Sequence, residues 1–371
     1  MESRSLQETI GPEAVAELEA NEAADPAARL AAGRLGALIP DALELFDARQ
    51  AGRDRPVPVP WPSVADALGG GLWAGMHVLT GGTGAGKSQW SLQVSLEAAM
   101  ARVPVLYVGL ELDAPGIVAR LIGMLATVRD GKGNGLPWSA LYTGRDRDKQ
   151  TRELRPHDLM GRAAKLADEL RELPIHCVFG GPMGFTTDEL RELCGALRAE
   201  YPEGPALVVL DFLQIVGAPE GERLELRERI GQAAYQGRAM AREHGLSVLL
   251  VSSVARDHYG KIGGLAKAGD DKAPTLGQAP ASLLVGLGKE SGEIEYAADS
   301  VLCLAADEYD DDERGRPVWL AVAKLRAGQA GWCSLRFNGQ TFADDPRRAD
   351  DARRLARMPK ASGAKAPGGV K

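Results

Sequence analysis

The sequence predicts an α/β fold on a mainly parallel central sheet, and three observations carry that expectation. From Ser63 to about Phe342 short apolar runs alternate with stretches of helical periodicity, the pattern of a parallel sheet covered by helices. Residues 81–88 read Gly-Gly-Thr-Gly-Ala-Gly-Lys-Ser and lie between a strand-like run and a helical one. Two apolar runs, Val105–Leu110 and Leu207–Leu210, are each followed at once by a carboxylate, Glu111 and Asp211. Strands of a parallel sheet end that way at a ligand-binding edge.

Taken in order, residues 1–55 are rich in Ala, Glu and Leu and are broken by Gly11-Pro12 and Asp25-Pro26. Short helices fit over Glu13–Ala20, Ala27–Leu38 and Asp41–Gln50, giving a short helical N-terminal extension. In Pro56-Val57-Pro58-Val59-Pro60-Trp61-Pro62, proline at every second position forbids helix and favours extended geometry, so 56–62 reads as a linker into the main domain. Strands are expected at Met76–Thr80, Val105–Leu110, Ile175–Phe179, Leu207–Leu210, Ser247–Val251 and Val301–Leu304. Val318–Lys324 and Trp332–Phe337 follow as a terminal antiparallel hairpin, turning at Ala327-Gly328-Gln329-Ala330-Gly331. Helices fit Gln89–Met100, Arg162–Leu173, Thr187–Ala199 and Leu226–His244. Gly260–Gly288 is glycine-rich with little periodicity and reads as a long mobile loop. The main domain is thus 63–343. Residues 344–371 form a polar, finally basic tail, with six Lys/Arg and no acid from Arg353 onward, expected to be disordered.

The 371 residues, 44% hydrophobic and 26% charged, suit a globular chain of one large domain with appendages, or two ordinary domains. No apolar run approaches the ~20 residues of a membrane helix, and Met1-Glu2-Ser3-Arg4-Ser5 begins no signal peptide. Cys177, Cys194, Cys303 and Cys333 are scattered among apolar neighbours and read as reduced core residues of a cytoplasmic protein. The five histidines have no metal-ligand spacing. A net charge of −7 gives no support to nucleic-acid binding by the chain as a whole, though a local basic loop or the inner surface of a ring can still carry it.

The pattern G-x-x-x-x-G-K-[ST] over Gly81–Ser88 is the chemistry-bearing motif. In such a turn (Gly81, Gly82, Thr83, Gly84, Ala85, Gly86) successive backbone N–H groups point at one anion, and Gly81, Gly84 and Gly86 can take positive φ. Lys87 then places a cation on the β/γ-phosphates and the Ser88 hydroxyl is set to ligate Mg²⁺. The sequence therefore predicts nucleoside triphosphate binding, with ATP and Mg²⁺ as cofactors. Asp211, ending a buried strand, is the acid that completes the Mg²⁺ shell. Hydrolysis also needs a group to orient water, and Glu111 ends the strand after the phosphate loop's helix. An ordinary solvated strand-end glutamate is the alternative for Glu111.

Four further blocks follow in order: Gly109-Leu110-Glu111-Leu112; Asp211-Phe212-Leu213-Gln214; Glu290-Ser291-Gly292-Glu293-Ile294-Glu295-Tyr296-Ala297-Ala298-Asp299; and Lys324-Leu325-Arg326-Ala327-Gly328-Gln329-Ala330-Gly331. This series resembles the C-terminal motor domain of DnaB-type replicative DNA helicases, over about residues 63–342, with looser matches at Leu141–Gly144 and Leu68–Gly75. The resemblance implies a RecA-like core and a ring-forming ATPase, usually hexameric, that moves on single-stranded DNA through a central channel. It also implies ATP sites between subunits, Glu111 as the catalytic glutamate, and Lys324 and Arg326 as the pair reaching a neighbour's γ-phosphate. By themselves those two cations read equally as a solvated pair on an edge strand.

Two departures stand against the family pattern. Ser252-Ser253 replaces the usual Ser-Gln, whose glutamine senses the γ-phosphate. Residues 1–55 are also too short for the helicases' N-terminal helical domain, which points to an accessory or mobile-element relative. Arg256, Lys261, Lys267 and Lys272, in the long loop, are candidates for DNA phosphate contacts, as consistent with a solvated loop as with binding. The acidic run Asp307–Glu313 lacks EF-hand spacing and reads as a solvated turn. Three functions stay open: an ATP-driven DNA helicase or helicase-like motor, a RecA-like recombination mediator or loader that does not unwind, and a nucleotide-dependent regulatory module without DNA.

Overall fold

A computed structural model describes residues 26–131, 135–147, 153–156, 158–180, 184–217, 225–253, 281–282, 284, 292–306 and 315–345. The expected helix Glu13–Ala20, nearly all of the 260–288 loop, the acidic run at 307–313 and the tail beyond Asp345 lie outside these residues, as do Arg256, Lys261, Lys267 and Lys272. The chain divides into two compact units, with the boundary after Arg55.

In the first unit, α1 (Pro26–Ala32) and α2 (Leu35–Gln50) meet at a break over residues 33–34. Pro40 lies inside α2, where it removes one backbone donor without ending the helix. No residue of α2 is buried, and Leu35, Leu38, Ile39, Leu43, Leu45 and Phe46 are all exposed. Their spacing puts them on one apolar stripe.

The second unit contains the strands β1 (Gly75–Gly81), β2 (Val105–Gly109), a small separate hairpin of β3 (Arg145–Arg147) and β4 (Leu154–Pro156), β5 (Ile175–Phe179), β6 (Leu207–Asp211), β7 (Ser247–Val251), β8 (Ser300–Ala306), β9 (Arg316–Leu325), β10 (Gly331–Phe337) and β11 (Phe342–Asp344). Nine of them form one sheet in the order β11-β10-β9-β8-β1-β7-β6-β2-β5. From β8 to β5 the neighbours are parallel, while β8–β9, β9–β10 and β10–β11 are antiparallel. The α/β sheet and its antiparallel end were legible in advance. The hairpin is longer than expected: β9 lies inside the sheet between β8 and β10, and β11 is the edge.

Alternation along the central strands makes two cores. Met76, Val78, Leu106, Val108, Val208, Leu210, Val248 and Leu250 face one side, packed by α8 (Thr187–Glu200) and α9 (Leu226–Glu243). Leu79, Val105, Tyr107, Leu207, Val209, Leu249 and Val251 face the other, under α3 (Pro62–Leu68), α4 (Lys87–Met100) and α5 (Ala114–Asp130). Burial on both faces is what a near-continuous apolar strand needs. Three further α-helices lie among the described residues: α6 (Trp138–Thr143), α7 (Met160–Arg171) and α10 (Gly292–Ala297).

Two expectations change. Residues 56–62 are extended, but they are not a free linker. Val57, Val59 and Trp61 are buried, Val57 exchanges backbone bonds of 2.8 and 2.9 Å with Leu72, and Trp61 stacks on Trp90. The alternate prolines conceal a period of two that sends every other side chain into the core. Among the cysteines, Cys194, Cys303 and Cys333 are buried, but Cys177 is exposed on β5, the other edge strand of the sheet.

Candidate active site

β1 ends at Gly81 and α4 begins at Lys87, so the glycine loop joins the sheet's centre to a helix N-terminus, where unpaired backbone N–H groups collect. Gly84 and Gly86 have φ of +75° and +94°, as expected for residues that must be glycine. Gly81 does not share that conformation, and its requirement is space: a Cβ there would stand 2.9 Å from the Leu304 carbonyl oxygen. Gly82, Thr83 and Gly84 form an accessible rim over buried Ala85. The Lys87 ammonium donates to the carbonyl oxygens of Gly81 (3.1 Å) and Gly82 (3.0 Å).

The carboxyl ends of β2 and β6 bring the two acids to this loop. Gly109 is registered with Asp211, and the Leu110 N–H donates to the Asp211 carbonyl at 2.7 Å, so Glu111 follows beside Asp211. Asp211 is 1% exposed. Burial raises its carboxyl pKa above the usual value and nearby Glu111 adds to that, while hydrogen bonds from Tyr107 and Ser88 and the charge of Lys87 oppose it. The structure therefore gathers Lys87, Ser88, Glu111 and Asp211 in one place. Glu111 is exposed and lines a cavity of about 370 Å³ with Asp113, Arg120, Trp138 and Tyr142.

A divalent cation fits this arrangement. Asp211 Oδ1 is buried and has no hydrogen-bond partner, the state of an oxygen set to face a metal's shell. A serine hydroxyl and a carboxylate are hard oxygen donors, which suit Mg²⁺.

Lys324 and Arg326 are not part of this gathering. The Arg326 N–H donates to the Asp299 carbonyl, and the Asp299 N–H donates to the Met76 carbonyl, so Arg326 stands at the start of β1. The phosphate loop is at the other end of that strand, ~17 Å along it at about 3.3 Å per residue. The Arg326 guanidinium pairs with Asp299 Oδ1 at 3.2 Å and donates to the Tyr296 carbonyl at 3.0 Å. Lys324 lies two residues earlier on β9, opposite Val301, half-buried.

Other residues at the site escaped sequence reasoning. Arg316, at the opposite end of β9 from Arg326, donates to the Gly84 carbonyl and lies 5.3 Å over the Phe337 ring. Phe337 stacks on Phe342 at 4.3 Å, and a Cβ on Gly86 would meet Phe342 at 2.7 Å, so an aromatic pair lies against the phosphate loop. Gln93 fixes that pair: its amide donates to the Phe342 carbonyl at 2.9 Å and accepts from the Phe342 N–H at 2.7 Å. Buried Gln89 and Gln93, four apart on an otherwise apolar helix face, were the available signal. Where the family carries glutamine, Ser253 is half-buried; buried Ser252 accepts a 2.7 Å bond from Gln214, which ties the ends of β6 and β7.

A phosphate loop on the central strand of a mainly parallel sheet, with acids at the ends of two further parallel strands, defines a RecA-like ATPase domain. The sequence profile of the DnaB-like helicase C terminal domain matches residues 63–344, and the chain belongs to that family. It is similar to the replicative DNA helicase DnaC of Bacillus subtilis, 27% identical over 173 residues, covering 46% of this chain and 34% of the relative. It is also similar to the replicative DNA helicase DnaB of Haemophilus influenzae, 27% identical over 263 residues, covering 69% and 47%. The chain thus spans less than half the length of these relatives. Among solved structures the ATPase domain of G40P superposes with a TM-score of 0.61 at 19% identity, covering 84% of this chain and 99% of that one. A DnaB-like replicative helicase, described with its interactions with primase, gives 0.62 at 17% identity, covering 89% and 74%. At those identities the likeness is one of fold.

Proposed function

We propose that this chain is an ATP-driven motor of the helicase type that moves on single-stranded DNA as a homo-oligomeric ring, with six subunits as the family pattern implies. The observation that carries the reading is the convergence of Lys87, Ser88, Glu111 and Asp211 on one helix N-terminus, with Asp211 Oδ1 left unbonded. Lys87 and the loop N–H groups hold the β/γ-phosphates. Ser88 and Asp211 hold Mg²⁺, which when bound neutralises charge on the phosphate oxygens. Glu111 orients and deprotonates the attacking water. Arg316 and the Phe337–Phe342 pair brace the loop from the sheet's antiparallel side.

Arg326 and Lys324 complete the site of another copy. An arginine a strand's length from its own phosphate loop cannot serve that loop, whereas head-to-tail packing presents it to the next one. The exposed apolar stripe of α2 supports self-assembly too, since a monomer rarely leaves such a surface in water. Arg256, Lys261, Lys267 and Lys272 are the proposed DNA phosphate contacts.

ATP hydrolysis measured with and without single-stranded DNA tests this reading, together with strand separation on a forked duplex. Stimulation and unwinding are expected; ATPase activity indifferent to DNA would sink it. A second reading, a DNA-bound loader or mediator that does not unwind, is favoured by Ser253 where the family has glutamine. Stimulation without unwinding would establish that one instead.

A further inference from the structure

Tyr107 is the polar exception in the middle of β2. Its neighbours Val105, Leu106 and Val108 are apolar and buried, and Tyr107 itself is 0% exposed, registered with Val209 on one side and Cys177 on the other. A phenol in such a position is costly unless its hydroxyl is bonded. It is: the Tyr107 hydroxyl donates to Asp211 Oδ2 at 2.7 Å and meets Ser91 Oγ at 3.1 Å. A phenol has one proton, and it goes to Asp211. The single Ser91 proton is then shared between two acceptors, the Ser88 carbonyl oxygen at 3.0 Å and the phenol oxygen at 3.1 Å. A buried relay thus links the first turn of α4, which carries one candidate metal ligand, to the end of β6, which carries the other.

We propose that Tyr107 is a positioning residue for the divalent-cation shell. By fixing Oδ2 it holds the Asp211 carboxylate in the orientation that leaves Oδ1, buried and without a partner, as the oxygen available to the cation; Ser91 in turn holds Tyr107. The inference rests on the proposed nucleotide site and deepens it. Without the phenolic hydroxyl the carboxylate keeps its place on the strand but loses its strongest rotational restraint, a charge-assisted bond in a dry site. Outer-shell partners of this kind typically change metal affinity by ~10–100-fold.

The test is binding, read without turnover. A fluorescent ADP is titrated onto the full chain at a series of MgCl₂ concentrations and again in EDTA, and Mn²⁺ binding is followed in parallel by electron paramagnetic resonance. For Tyr107→Phe the half-saturating Mg²⁺ concentration should rise by ~10–100-fold and Mn²⁺ should bind more weakly, while metal-free nucleotide affinity stays at the wild-type level. Ser91→Ala should move the same quantity in the same direction by less, and carries the test if Tyr107→Phe does not fold. In an Asp211→Asn background, Tyr107→Phe should add nothing, because the coupling runs through that carboxylate. A Tyr107→Phe protein that melts lower but keeps the wild-type Mg²⁺ dependence overturns the inference and makes the phenol a packing residue. Wild-type protein that binds no nucleotide would instead sink the proposed function.

Discussion

Arg326→Ala is the substitution that separates the ring reading from every single-subunit alternative. Its local cost is small. The guanidinium is 43% exposed in its pair with Asp299, and exposed pairs are worth roughly 0–1 kcal/mol, so the variant should fold and bind ATP almost normally. Its catalytic cost should be large, since an arginine supplied to the transferring phosphoryl group is worth ~10³–10⁵ in rate, or ~4–7 kcal/mol of barrier. The assay is ATP hydrolysis by Arg326→Ala, by Glu111→Gln, and by the two mixed. Each alone should be nearly inactive. If Arg326 serves the next copy, random mixing in equal amounts gives about a quarter of the junctions both an intact Glu111 and an intact Arg326, and about a quarter of the activity returns. If Arg326 acts within its own chain, no mixture contains a competent site. No recovery despite demonstrated subunit exchange would refute the reasoning, and a chain that stays monomeric with ATP would refute the ring.

Three further outcomes are expected. Lys87→Ala should lose ATP turnover by at least ~10²-fold, with its thermal melt no longer raised by Mg²⁺ and ATP; wild-type turnover would remove Gly81–Ser88 from the catalytic site. Glu111→Gln should retain ATP affinity, measured by equilibrium binding, while hydrolysis falls by ~10²–10⁴-fold; joint loss of both would make Glu111 a structural or metal-shell residue. His77 gives a stability test. It is buried, its Nε2–H donates to the Trp73 carbonyl at 2.7 Å and its Nδ1 lies 2.7 Å from the Ser300 hydroxyl, and burial, which disfavours the charged ring, holds its pKa below the ordinary 6.5. A depressed folded-state pKa means that the unfolded chain takes up the proton first, so stability is intact above pH 6.5 and is lost as pH falls below it. Melting temperatures from pH 7.5 to 5 should fall less steeply for His77→Gln than for wild type; parallel slopes would acquit His77.

What the sequence made legible was whatever depends on a local pattern. Gly81–Ser88 between a strand and a helix, and apolar runs followed by Glu111 and Asp211, mark a candidate site because the carboxyl ends of parallel strands all gather at one edge of the sheet. The prolines at 56, 58, 60 and 62 announce extension, which a linker and a packed strand share, and say nothing of which way Val57, Val59 and Trp61 point. Tyr107 passed as one more strand residue, since its partner Asp211 is 104 positions away and only the register of β2 with β6 brings them together. Arg326 depends on strand direction. The motif Lys324-Leu325-Arg326 ends a strand just as Glu111 and Asp211 follow theirs, and on a parallel strand that position would be the phosphate edge. β9 runs antiparallel to β8, so its start, at Arg316, meets the phosphate loop and its end lies a sheet's length away. The reversal of one strand thus separates two arginines ten residues apart, setting Arg316 against the chain's own loop and leaving Arg326, in the proposed ring, to another's.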